Sequence, residues 1–189
     1  MVKILAIETS CDETCAAITE GTTILSNVVW SQVDLHKEFG GVVPSIARRA
    51  HLEKIDWVIN KALVVDVDAI AVTVGPGLAI ALEVGIAKAK ELATKLHKPL
   101  IAVNHIEGHV LSGITSEVSF PALALVVSGG HTELILVEKI GKYKIVARTI
   151  DDALGEALDK AARMLGLGYP GGAELEKAAL TGNPKAYKL

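Results

Sequence analysis

Short apolar runs and polar turns alternate along the first thirty residues. Val2 to Glu8 is apolar and β-prone, Thr9 to Glu13 is turn material, Thr14 to Thr19 resumes the run, and Glu20-Gly21 turns into Thr22 to Trp30. The pattern predicts a three-stranded meander. A second one begins at Pro121, with strands over Ala122 to Val127, Thr132 to Glu138 and Tyr143 to Ile150, parted by Ser128-Gly129-Gly130-His131 and Ile140-Gly141. An offset of 118 residues (128 − 10) lays Ser10 on Ser128, Thr14 on Thr132, and Leu5 to Ile7 on Leu123 to Leu125. The chain therefore reads as two pseudo-repeated lobes, residues 1–118 and 119–189, with the boundary in Thr115 to Phe120.

Between the meanders, Ser31 to Val43 carries Gly40-Gly41 and no period, and reads as a loop. Pro44-Ser45 is expected to cap a helix to about Leu63, with Ile46, Ala50, Ile55, Ile59 and Leu63 on one stripe. Ala69 to Val74 is a continuous apolar run, as expected of a strand buried on both faces, and Gly75-Pro76-Gly77 breaks it. Leu78 to Leu96 is helical and Pro99 to Val103 is the next buried strand, which makes a βαβ unit and a parallel pair. Gly75-Pro76-Gly77 and Asn104-His105 then lie past the carboxyl ends of adjacent parallel strands, where open α/β sheets bind ligands. After the second meander, Asp151-Asp152 is expected to cap a helix from Ala153 to about Leu165, apolar at Leu154, Leu158, Ala161 and Leu165. Asp159 and Arg163, four apart on its polar side, read as an exposed ion pair. Leu167 to Gly172 is a turn that opens a helix from about Ala173.

Composition narrows the class. The chain has 189 residues, 50% of them hydrophobic, enough for a buried core. The apolar start is too short for a signal peptide and no run could span a bilayer, so a cytoplasmic protein with no membrane partner is expected. Cys11 and Cys15 make neither a disulfide framework nor a four-ligand zinc site, and read as reduced thiols near a turn. A net charge of −3 argues against a chain that grips nucleic acid alone. Arg48-Arg49-His51-Lys54 and Lys88-Lys90-Lys95-Lys98 read as solvated helix faces.

The candidate chemistry begins at Asn104-His105-Ile106-Glu107-Gly108-His109. Asn104 is a good N-cap, so His105 and His109 fall one turn apart on one helical face, half of a metal site. The metalloprotease reading fails, because Glu107 points about 200° round the helix from the first histidine. A capped helix with two exposed histidines is the alternative. The Ser128-Gly129-Gly130-His131-Thr132 hairpin can converge backbone N–H groups on phosphate or adenylate oxygens, or can be a plain hairpin. Gly171-Gly172 before a helix start is a second place that favours an anion, and equally ordinary turn chemistry. Asp12 and Glu13 are paired carboxylates able to orient a cation or take a proton, or simply solvated.

Taken together these segments resemble the universal tRNA threonylcarbamoyladenosine transferases, once described as O-sialoglycoprotein endopeptidases. The matching residues are Ile7-Glu8-Thr9-Ser10-Cys11-Asp12-Glu13-Thr14, Gly41-Val42-Val43-Pro44, Ala50-His51, Gly75-Pro76-Gly77-Leu78, Asn104 to His109, Val127 to Thr132, and Gly155 through Gly172. The resemblance implies the two-lobed α/β fold of actin, sugar kinases and heat-shock chaperone ATPases, with the second lobe incomplete. It implies transfer of threonylcarbamoyl from threonylcarbamoyl adenylate to N6 of the adenosine beside the tRNA anticodon, with other subunits of the same modification complex as partners. His105 and His109 would be ligands of one Fe or Zn ion. Val127, Ser128, Gly129, Gly130 and His131 would contact the adenylate, with Asp159, Gly172 and Glu176 around its adenosine part. Members of the family are longer and carry their third metal ligand, an aspartate, in a part with no counterpart here. Weak or absent metal binding and little activity alone are therefore expected. Leu78 to Glu83 and Gly155-Glu156-Ala157-Leu158-Asp159 depart from the family pattern. The other readings are a non-catalytic scaffold subunit of the same complex, against which the histidine pair argues, and an actin-like ATPase or sugar kinase, for which no catalytic aspartate is evident.

Overall fold

The computed structural model describes residues 1–114 and 117–188. The chain forms two compact units, Met1–His36 with Val42–Gly108, and Lys37–Gly41 with His109–Leu189. These units part between Gly108 and His109, and Thr115 and Ser116, in the segment where the two lobes are expected to meet, lie outside the described residues.

The first unit is built on a five-stranded sheet in the order β3-β2-β1-β4-β5, from β1 (Lys3–Glu8), β2 (Glu13–Glu20), β3 (Thr23–Ser31), β4 (Ala69–Gly75) and β5 (Leu100–Asn104). The antiparallel meander β1-β2-β3 continues through β1 into the parallel pairs β1-β4 and β4-β5. Helices α2 (Pro44–Ala62) and α3 (Ala79–Leu96) pack against this sheet and against each other. The core is Leu5, Ile7, Ile18, Ile55, Val58, Ile59, Ile70, Val72 and Val84. Each such aliphatic side chain, fully buried, contributes roughly 1.5–3 kcal/mol.

Four features of this unit differ from the sequence expectation. Ser31 to Val43 is not a plain loop: it holds α1 (Val33–His36) and a 3-10 turn over Lys37–Phe39. A single turn is too short to show a period, and His36 is fully buried, accepting the Val43 N–H at 3.3 Å and donating to Gln32 Oε1 at 3.1 Å. The buried stripe of α2 is Ala47, Ala50, His51, Ile55, Val58, Ile59 and Ala62, while Leu63 is the C-cap and exposed. His51 therefore leaves the solvated face on which its basic neighbours placed it, whereas Arg48 and Arg49 remain exposed. Strand β5 forms as expected but is not buried: it is an edge strand, with Leu100 39% and Ile101 41% exposed. Pro44 sits at the first helical position after Val43, where its missing N–H costs nothing, and no side chain caps the helix.

The second unit carries the antiparallel meander β6 (Ala122–Val127), β7 (Thr132–Lys139) and β8 (Lys142–Arg148), followed by α5 (Leu154–Met164) and α6 (Gly171–Ala179). Its strand-turn-strand-turn-strand order repeats that of β1-β2-β3. Neither Asp151 nor Asp152 caps α5. Thr132 Oγ1 accepts the Leu154 N–H at 2.7 Å instead, and Asp152 pairs with Lys160 at 2.7 Å. The helix presents Ala162 to the interior and leaves Leu154, Leu158 and Leu165 partly exposed, so the expected apolar stripe is only half used. No helix among the described residues is long and apolar enough to cross a membrane.

Candidate functional site

Parallel strands end at one edge of the first sheet, and the chemistry of the first unit gathers there. Strand β5 hands the chain to α4 (His105–Ser112), and Asn104 caps it as its sequence predicts: its Oδ1 accepts the Ile106 N–H at 2.9 Å and the Glu107 N–H at 3.1 Å. That cap sets His105 beside the carboxyl end of β1. His105 Nδ1 lies 3.1 Å from Glu8 Oε2 and 3.2 Å from Ser10 Oγ. Ser10 is nearly sealed: its N–H donates to Glu8 at 2.5 Å, and its carbonyl accepts the Leu78 N–H at 2.8 Å. Gly77, at φ +157°, is required here, because a Cβ on it would stand 2.7 Å from both the Cβ and the carbonyl oxygen of Ser10.

Glu8 is the residue that sequence reading left without a role. Burial works to raise its pKa, but hydrogen bonds from His105, Thr73 and Ser10 outweigh it and hold the carboxyl down at about 2. The signal was present: a lone carboxylate closing an apolar strand at the ligand-binding edge of a sheet. Glu13 moves the other way, raised by burial first and then by the charges of Asp12 and Glu8. Behind the turn, His51 Nε2 donates to the Cys11 carbonyl at 3.0 Å, so its Nδ1 accepts from Thr14 Oγ1 at 2.8 Å. Burial, opposed in part by that carbonyl, holds the His51 pKa below its ordinary value. Cys11 and Cys15 are free thiols. Burial first, and then Asp12 and Glu13 for the one and Glu13 and Glu8 for the other, pushes each up to about 12.

In the second unit, a cavity of about 380 Å³ is lined by His109 and Val110 of α4, Gly113 and Ile114 just after it, Val118, the whole of β6 with Ser128, and Val137 of β7. His109, Val127 and Ser128 are thus brought to one cavity. The turn at Ser128 to His131 closes on itself, the Ser128 N–H donating to the His131 carbonyl at 2.8 Å and the His131 N–H to Ser128 Oγ at 3.0 Å. A Cβ on Gly129 or Gly130 would meet nothing within 4 Å among the described residues. Gly155 ties α5 to this turn: its N–H donates to the Ser128 carbonyl at 3.2 Å, and a Cβ there would stand 2.6 Å from that oxygen.

Asp159, expected to pair with Arg163, does something else. Its Oδ1 accepts the Gly171 N–H at 2.7 Å, so the anion at the N-terminus of α6 is this carboxylate. Arg163 reaches the Gly40 carbonyl. Gly172 is the second residue of α6, and Glu176 lies further along it, exposed. The Ser128 turn, Asp159 and Gly172 are therefore linked through α5, while Glu176 lies one turn further along α6.

The metal chemistry rests on a pair. Among the described residues, no group of three or more His, Cys, Asp or Glu side chains is arranged to hold a metal ion. Two imidazoles one helical turn apart, the first with Nδ1 on a carboxylate, fit two ligands of such a site.

A family model described as tRNA N6-adenosine threonylcarbamoyltransferase matches residues 23–189. The chain belongs to this family. It is 52% identical to the tRNA N6-adenosine threonylcarbamoyltransferase of Pelagibacter ubique, over 98% of this chain and 56% of that protein. It is 56% identical to that of Trichlorobacter lovleyi, over 98% of this chain and 57% of that one. The chain thus spans about half the length of the curated threonylcarbamoyltransferases it matches. Among solved structures, an uncharacterised Pseudomonas aeruginosa protein with similarity to peptidase YeaZ superposes with a TM-score of 0.53 at 19% identity, over 78% of this chain and 64% of that one. The ROK hexokinase of Thermus thermophilus gives 0.50 at 18% identity, over 97% and 71%. These likenesses carry the fold alone, the α/β fold of sugar kinases and actin that the family resemblance implies.

Proposed function

We propose that this chain serves in threonylcarbamoyl transfer: the N6 amine of the adenosine beside the tRNA anticodon attacks the carbamoyl carbonyl of threonylcarbamoyl adenylate, the new C–N bond forms, and AMP leaves as the amine loses a proton. Membership of the family over residues 23–189 supports the reading. The single structural observation that carries it is the cavity shared by His109, Val127 and Ser128, with the open glycines of the hairpin beside it.

The roles follow from chemistry. Backbone N–H groups at Gly129 and Gly130, where a ligand can approach without meeting a Cβ, donate to the phosphate or carbamoyl oxygens. Asp159, already fixed by the Gly171 N–H, offers its second oxygen to a ribose hydroxyl, with Gly172 and Glu176 lining the adenosine. His105 and His109 would hold one Fe or Zn ion, which when bound supplies a Lewis acid toward the carbamoyl end. Because the chain is acidic overall, at −3, other subunits of the modification complex bring the tRNA.

The test is calorimetric titration of a hydrolysis-resistant threonylcarbamoyl adenylate analogue into the chain, beside transfer of labelled threonylcarbamoyl to tRNA in the presence of partner subunits. Binding weakened at least about tenfold by Gly129→Val supports the site, since about 1.4 kcal/mol of lost contact is a tenfold change. Equal binding by both proteins, or ATP-dependent phosphorylation of a sugar, overturns the reading.

A further inference from the structure

Glu8 closes the central strand β1, and its two carboxylate oxygens are both engaged, Oε2 at 3.1 Å from His105 Nδ1 and Oε1 accepting the Ser10 N–H at 2.5 Å. A glutamate carboxylate at neutral pH is an acceptor only. The hydrogen shared with His105 is therefore on Nδ1, and the lone pair of the ring is on Nε2. Ser10 Oγ, 3.2 Å from the same Nδ1, is placed to accept a share of that hydrogen. The supports are themselves held. Ser10 is 3% exposed and pinned by the Leu78 N–H, and Gly77 leaves no slack against it.

We propose that Glu8 is a positioning residue: it locks His105 in the Nδ1–H tautomer and fixes the plane of its ring, so that Nε2 is the nitrogen offered to a metal ion. The tautomer follows from the geometry of the first unit alone, whereas its use for a metal rests on the reading of His105 as a ligand. Histidines that bind metals commonly pass their other N–H to a carboxylate, and losing that carboxylate weakens metal binding about 10–100-fold.

The experiment reads the two halves separately. Long-range proton–nitrogen correlation on the metal-free chain, labelled at histidine nitrogen, reports the tautomer of His105, assigned by His105→Ala. Wild type is expected in the Nδ1–H form. Glu8→Ala is expected to shift His105 toward the Nε2–H form, and Glu8→Gln, which keeps an acceptor oxygen, to fall between them. Thr73→Val alters the neighbouring strand β4 without changing Glu8 or His105, and should leave the tautomer as in wild type while controlling for disturbance of the sheet. Titration with zinc alone should then show Glu8→Ala weakened about 10–100-fold relative to Thr73→Val. A wild-type Nε2–H form, or an unchanged tautomer in Glu8→Ala, overturns the proposal. Zinc affinity lost in His105→Ala but kept in Glu8→Ala overturns the positioning role, and equal zinc affinity in wild type and His105→Ala overturns the ligand reading while the tautomer result stands.

Discussion

The first turns of the two meanders are equivalent in position and treated in opposite ways. In the first unit, the turn after β1 is sealed: Thr9 is fully buried, donating to the Ala81 carbonyl at 3.0 Å, and Ser10 is held between Gly77, Leu78 and Glu8. In the second, the turn after β6 has two glycines whose missing Cβ atoms would point into open space among the described residues. The same strand pattern thus produces a rigid mount in one unit and an accessible rim in the other. What differs is the covering element. The first turn lies under the β4–α3 connection, while the second meets α5 through Gly155, at the Ser128 carbonyl and the Gly129 nitrogen. Glycine accordingly has two meanings here, close approach at Gly77 and room for a ligand at Gly129.

Substitution should separate those meanings. The largest effect is expected for Gly77→Ala, where the new Cβ overlaps the Ser10 backbone at a positive φ. Loss of about 3 kcal/mol or more in urea unfolding is expected, and a loss below about 1 would mean the mount is not rigid. Asp159→Ala removes the carboxylate from the Gly171 N–H and should cost about 1 kcal/mol, read as faster amide exchange in the first turn of α6. The reference for the rim is Gly129→Ala, which should stay within about 0.5 kcal/mol of wild type in the same unfolding assay.

Two smaller effects probe the mount through its protons. His51 is held neutral in the folded chain with a lowered pKa, so the unfolded chain binds that proton first. Its contribution is fully present above about 6.5 and is lost as pH falls below that value, so the stability advantage of wild type over His51→Gln should shrink over that window. Cys15, pushed up to about 12, should react with iodoacetamide at pH 8 on the order of a thousandfold more slowly than a free thiol until the chain is unfolded.

Much of this was legible in the residues. Period-two runs and their turn residues located both meanders, and the continuous apolar run of Ala69 to Val74 marked a strand buried on both sides. Asn104 announced the start of α4, and its side chain caps it. Other features were not legible. His51 sits among Arg48, Arg49 and Lys54, and nothing local says that its ring turns inward to bond Thr14 from another strand. Asp152 has the right chemistry for a cap, yet Thr132, twenty-two residues before Leu154, accepts the N–H at the helix start. Asp159 and Arg163 have ion-pair spacing, yet each finds a partner distant in sequence, the Gly171 N–H and the Gly40 carbonyl.

By itself the sequence determined the periodicity, the turns, the doubled topology and the spacing of the two histidines, because those depend on backbone geometry and on neighbours within a few residues. Only the tertiary structure decided which polar groups meet. Glu8 and His105 are 97 residues apart and become partners because β1, β4 and β5 lie side by side in one parallel array, ending at a common edge. Hydrogen bonds act over about 3 Å, so a pairing across that length of chain is set by strand order, which no local pattern encodes.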